Sequence, residues 1–207
     1  MKTIISKALN NSFSYSEYRK IINDLLLLGK SSGTEQSDDL FQFSSLNETR
    51  MHRLDKTIQI SDETIVKLNA LKNNYIWLVI SEGWCGDAAQ ILPILNKMAS
   101  ISNTIEMKII FRDENPEVMN LFLTNGSKSI PKLIILDKNS INVESNWGPR
   151  PKGALDFLSN YKEKNGAIDA NAKTELQLWY LRDKGVSTQN EITELMQSLE
   201  SENTFKK

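Results

Sequence analysis

The chain has 207 residues, 40% hydrophobic and 25% charged, and its 25 Lys and Arg nearly balance 26 Asp and Glu for a net charge of −1. That balance gives no basic footprint for nucleic acid or an anionic membrane, while the length is ample for a well-buried core. One cysteine excludes a disulfide within the chain, and one histidine, His52, leaves no metal-ligand spacing.

Met1 to Asn10 holds too short an apolar stretch for a secretory signal, and no segment approaches the roughly 18 to 20 apolar residues of a membrane span; a cytoplasmic location is expected. Residues 14 to 29 follow Ser14 with Tyr18, Ile21, Ile22, Leu25, Leu26 and Leu28 on one broad stripe, an amphipathic helix ended by Gly29. Lys30 to Asp38 is polar and reads as a loop. A helix is predicted over 41 to 54, with Phe41, Phe43, Leu46 and Met51 as its apolar positions. Another runs from the N-cap Ser61 to about Lys72, with Ile65, Leu68 and Leu71 inward.

The pattern then alternates: a strand over 75 to 81, a helix over 86 to 100, a strand over 105 to 111 and a helix over 115 to 124 with Pro116 in its first turn. Strands at 132 to 137 and 141 to 147 flank the turn Asp137-Lys-Asn-Ser, and a helix at 151 to 162 follows. The order βαβαββα implies an α/β fold with a mixed central sheet flanked by helices, its final hairpin antiparallel. The tail reads as polar-faced helices at 171 to 184 and 189 to 201, split by Gly185. The expected organisation is one domain over 1–207: an N-terminal helical extension (1–71), a core (72–162) and a C-terminal helical extension (163–207).

The sole cysteine, Cys85, stands in Gly83-Trp84-Cys85-Gly86-Asp87-Ala88, where the first strand meets a helix. Free N–H groups and the positive end of the helix dipole favour thiolate there, by up to about 2 kcal/mol. A nearby Asp87 carboxylate opposes this by about 1 kcal/mol, and the balance predicts a pKa lowered by about 0.5 to 1 unit. A cysteine without a redox role is the alternative.

Trp84-Cys85-Gly86, Pro93 on the helix after the cysteine, Ser129-Ile130-Pro131 before a strand, and Trp147-Gly148 before the last core helix occur in the order and register of the thioredoxin family. The segment from about Lys72 to Lys162 therefore resembles a thioredoxin fold. The flanks resemble a bacterial group of thioredoxin-family proteins with Trp-Cys-Gly-Asp-Ala-Ala and Trp-Gly-Pro-Arg-Pro segments. The resemblance implies a cis bond before Pro131, with Ile130 presenting its backbone to an extended peptide in β-augmentation. It also implies that Trp84, Gly86, Asp87, Ile130, Pro131 and Trp147 shape the cleft around Cys85; for Trp147, ordinary packing is the equal alternative.

The departures bear on function. Ala88 stands where the resolving thiol would be, Val79 where thioredoxins keep a buried acid, Asp87 where they have proline, and Lys132 where threonine is usual. An acid that serves a second thiol has no task once that thiol is gone. Without an intramolecular partner, a mixed disulfide on Cys85 waits for an external thiol such as glutathione. The expectation is monothiol thiol-disulfide exchange or redox sensing on protein or peptide thiols and disulfides, with no resident cofactor. The alternative is a non-catalytic adaptor that uses the same cleft; a glutaredoxin-type cluster carrier ranks lower, because Cys-Gly-Asp-Ala differs from Cys-Gly-Phe-Ser.

Arg112 and Arg150 are candidates to hold a ligand carboxylate at the carboxyl ends of the strands, against the plainer reading of local ion pairs. His52, Asp38-Asp39 and Asp113-Glu114 read as structural or solvated, and no Gly-rich phosphate loop is present.

Overall fold

The computed structural model describes residues 1–205; the last two residues of the expected C-terminal extension lie outside them. Its centre is a four-stranded sheet of order β2-β1-β3-β4, formed by β1 (Tyr75–Ser81), β2 (Ile105–Phe111), β3 (Lys132–Asp137) and β4 (Val143–Trp147). β1 runs parallel to β2, with Ser81 opposite Phe111, and antiparallel to β3, with Ile80 opposite Lys132. β3 and β4 form the antiparallel hairpin, with a register shift between Ile135 and Leu136. β1 is buried at every position, which is why its sequence is an unbroken apolar run from Tyr75 to Ile80 rather than an alternation, closed by the buried Ser81.

Four helices precede the sheet: α1 (Lys2–Asn10), α2 (Tyr15–Leu27), α3 (Asp38–Thr57) and α4 (Asp62–Asn69). Ser14 and Glu17 close a reciprocal capping box at the start of α2, and the side chains of Ser37 and Ser61 cap α3 and α4. α5 (Gly86–Ala99) follows β1 and carries Pro93 inside it; α6 (Pro116–Met119) follows β2. α7 (Lys152–Asn165) ends at Gly166 in the left-handed region, and α8 (Ala170–Asp183) and α9 (Val186–Phe205) form the C-terminal extension.

The extensions belong to the packed interior. Ile5, Tyr18, Ile22, Met51 and Leu68 from the N-terminal side, and Leu176, Tyr180, Ile192 and Met196 from the C-terminal side, join one buried cluster with β1 and α5.

Several boundaries differ from the sequence expectation. α1 was not anticipated; it buries Ile5 and Ala8. α3 is longer at both ends, because Ser37 supplies its cap and Ile58 its end. α6 stops at Met119 instead of continuing to 124: Thr124 and Ser127 pair across a tight turn that draws the chain out of the helix. β4 starts at Val143, since Ile141 has φ 55° and cannot extend the strand.

Candidate functional site

The segment entering the site is fixed from the N-terminal extension. Ser32 Oγ donates to Glu82 Oε2 at 2.5 Å and accepts from the Gly83 N–H at 2.8 Å. Asn47 on α3 donates to the Gly83 carbonyl at 3.0 Å, and the Asp113 N–H donates to Glu82 Oε1 at 3.0 Å. Glu82 is completely buried, and burial raises its pKa above the ordinary carboxyl value against the pull of its Ser32 bond. Gly83 packs closely on α2: a Cβ there would lie 2.6 Å from Ile22 Cδ1, so that methyl would have to shift.

Cys85 is the N-cap of α5. Its Sγ accepts from the Ala88 N–H at 3.4 Å and donates to the Ile130 carbonyl at 3.3 Å. Cys85 is only 7% exposed, and its thiol pKa is pushed up to about 12, first by burial and then by the Asp87 charge. This corrects the expected lowering. The N–H groups of Ala88 and Asp87 and the Arg150 cation do favour the anion, but the loss of water around the sulfur outweighs them.

Asp87 explains its own substitution. Its carboxylate accepts from Arg150 Nε at 2.9 Å and Tyr180 Oη at 2.9 Å, and pairs with Arg150 Nη2 at 2.6 Å. It thereby ties the first turn of α5 both to the 149–151 segment and to α8. Burial alone would lower the Arg150 pKa, but the carboxylate beside it more than compensates and raises it. Tyr180 is held protonated, its pKa raised by burial and by Asp87. Gln90 and Gln177 add a second link between α5 and α8 at 2.8 Å.

The peptide bonds before Pro131 and Pro149 are both cis. Gly148 has φ 110°, and a Cβ on it would lie 2.5 Å from the Pro131 carbonyl oxygen. The Lys132 ammonium, on a residue 4% exposed, donates to Thr124 Oγ1 at 2.6 Å and the Gly148 carbonyl at 3.1 Å, so it clamps these two loops together. Burial lowers its pKa.

Cys85, Trp84, Gly86, Asp87, Arg112, Ile130 and Arg150 converge on one cavity of 780 Å³. Pro131 joins through its bond to Ile130. Arg112 stacks its guanidinium 4.7 Å from the Trp84 ring and pairs with Asp113 at 2.8 Å, so neither candidate arginine is without an acid. Trp147 is placed elsewhere: its indole N–H donates to Glu191 Oε2 on α9 at 2.8 Å, and it does not line the cavity.

Sequence reasoning missed Arg50, Gln177 and Tyr180, whose helices wall or tether the site. Among the described residues no group of three His, Cys, Asp or Glu side chains could hold a metal ion, and no helix is long and apolar enough to cross a membrane.

A family model described as thioredoxin matches residues 33–164, more than half of the chain. The chain belongs to the thioredoxin family. Comparison with curated proteins finds no match. A crystal structure of a protein of unknown function from Pseudomonas aeruginosa is similar with a TM-score of 0.57 and 16% identity, over 90% of this chain and 98% of that one. The crystal structure of an HIV epitope scaffold is similar with a TM-score of 0.56 and 18% identity, over 90% of this chain and 99% of that one. At these identities the likeness is one of fold, and at 90% coverage it reaches into the helical extensions.

Proposed function

We propose that this thioredoxin-family protein performs monothiol thiol-disulfide exchange at Cys85, on protein or peptide disulfides, with an external thiol such as glutathione completing the cycle. The observation that carries the reading is the position of Cys85: it lines the cavity at the start of α5, with its Sγ facing the Ile130 carbonyl. Trp84, Gly86, Ile130 and Pro131 shape the groove that receives the substrate.

The chemistry balances without a second cysteine. Cys85 gives its proton to a base in solution, and Sγ bonds to one sulfur of the incoming disulfide. The other sulfur leaves as a thiolate and takes up a proton. An external thiol, giving up its proton, then bonds to the substrate sulfur of the mixed disulfide. Sγ leaves and takes up a proton, so Cys85 is again a thiol. The substrate sulfur is left in a disulfide with the external thiol, which a second such thiol reduces. With a pKa of about 12 the thiol is held in reserve at neutral pH, so exchange is slow until Asp87 is drawn away or water is admitted. A reducing cytoplasm, with its pool of small thiols, is the compartment that suits this cycle.

The test is incubation with glutathione disulfide followed by intact mass measurement. A Cys85 adduct that reduced glutathione removes, absent in Cys85→Ser, supports exchange. No adduct even at pH 9, together with peptide capture unchanged in Cys85→Ser, would replace this reading with the adaptor.

A further inference from the structure

We propose that the cavity over Cys85 binds an amphiphilic organic anion, with its head group on Arg50 and its apolar body against Phe43 and Leu46. This goes beyond the exchange reading and does not require the thiol.

The cavity walls come from the extensions. Phe43, Leu46 and Arg50 lie three and four positions apart along α3, so they share one face of that helix, and Lys173 faces them from α8. The charges there do not cancel. Arg112 and Arg150 are paired with Asp113 and Asp87, but no carboxylate is in salt-bridge range of Arg50, Lys128 or Lys173 among the described residues. Arg50 is half-buried, and among the described residues its one side-chain hydrogen bond goes to the neutral Asn47 Oδ1 at 2.8 Å. Burial and the neighbouring Arg53 pull its pKa down, the mark of a cation short of negative charge.

The apolar side is equally open. Phe43 is 50% exposed and Leu46 47%, although both border the cavity. Arg50 Nη1 lies 3.8 Å from where a Cβ on Gly86 would stand, which puts the guanidinium beside the floor of the cavity. At 780 Å³ the space falls within the range of about 300 to 1,000 Å³ typical of small-molecule sites. A carboxylate or phosphate head would complete Arg50 with charge-assisted bonds, and a chain or ring would cover Phe43 and Leu46.

The test is calorimetric titration of the full chain with decanoate, decyl phosphate, decylammonium and inorganic phosphate, all below micellar concentrations. Decanoate or decyl phosphate should bind one per chain, and the tighter of the two identifies the head group. Decylammonium and inorganic phosphate should bind at least about 10-fold more weakly than the better anion. Arg50→Gln and Phe43→Ser should each weaken that anion by about 10-fold, whereas Cys85→Ser should bind as the parent does. Should Arg50→Gln fail to fold, Lys173→Gln on the exposed rim gives the same reading with a smaller loss. Absence of binding by either anion, equal binding of decylammonium, or affinity unchanged by Arg50→Gln would overturn the proposal. Because Cys85→Ser retains this site, failure here is distinguishable from failure of the exchange reaction.

Discussion

Tyr180 donates its hydroxyl hydrogen to Asp87 Oδ1 at 2.9 Å, across 93 positions of sequence. The same oxygen accepts from Arg150 Nε, so one carboxylate near the thiol gathers α5, α8 and the 149–151 segment. The tie has two effects. It anchors the C-terminal extension on the site, and it keeps a negative charge beside a sulfur that burial already holds protonated.

Tyr180→Phe removes one hydrogen bond to a charged acceptor while keeping the ring's packing. Both partners are buried, Tyr180 only 5% and Asp87 only 7% exposed, so water does not replace the lost bond fully. The expected cost is about 1.5 to 3 kcal/mol in urea unfolding. Asp87→Ala should cost more, because Arg150 is then left without its acid. An unfolding midpoint unchanged in Tyr180→Phe would show that the tether carries no stability.

The thiol's protonation sets its reactivity. A shift from the ordinary 9.0 to about 12 cuts the thiolate fraction at pH 7 by about 10³-fold. Alkylation of Cys85 by iodoacetamide should therefore be slow at neutral pH, and its rate should still be climbing at about pH 10. Asp87→Asn removes the carboxylate charge that raises the thiol pKa, so the pH–rate curve should move to lower pH. A rate plateau below about pH 9 in the parent protein would contradict the burial argument.

Glu82 makes stability depend on pH in the less usual direction. Its folded pKa lies above the ordinary 4.5 because the carboxyl is buried, so the folded chain holds that proton more tightly than the unfolded one. The contribution is therefore fully present below about 4.5 and is lost as pH rises through the higher folded value. Glu82→Gln lacks this titration. Relative to the parent, the variant should gain stability between about pH 4 and pH 7.5, read as the difference in urea midpoints at the two pH values. A constant difference would mean that Glu82 titrates normally.

What the sequence disclosed follows from how local each signal is. β1 was legible because burial on both faces makes it apolar from Tyr75 to Ile80, and Cys85 with Ile130 and Pro131 because their register survives in short motifs. α3 was harder: its buried positions include the polar Ser44 and Asn47, which bond to Ser31 and Gly83, while Phe43 and Leu46 face outward. The apolar positions place a helix over 41 to 54, but they cannot show that it turns polar side chains toward a loop and leaves Phe43 and Leu46 outside. Tyr180 and Arg50 were invisible for a related reason, since their roles arise only when distant helices meet above α5. The thiol pKa was misjudged because dipole and charge can be placed from sequence, whereas the burial that decides the sign cannot.

Gly148 offers the sharpest test of how the proline loops meet. Its φ of 110° is one that L side chains rarely adopt, and a Cβ would stand 2.5 Å from the Pro131 carbonyl oxygen. The obstacle is backbone, so no rotamer change relieves it, unlike Gly83, where the Ile22 methyl could move. Relief would need the 130–132 segment to shift, which would pull the Ile130 carbonyl off Cys85 and the Gly148 carbonyl off Lys132. Gly148→Ala should therefore destabilise the fold by about 2 to 6 kcal/mol, summing the strained backbone and the overpacking. It should also speed Cys85 alkylation in the fraction that remains folded, because the S–H loses its acceptor. Gly83→Ala should cost less, and more of its loss should be recovered by Ile22→Val. If Gly148→Ala unfolds at the parent's midpoint with an unchanged alkylation rate, the two loops are not in the contact described.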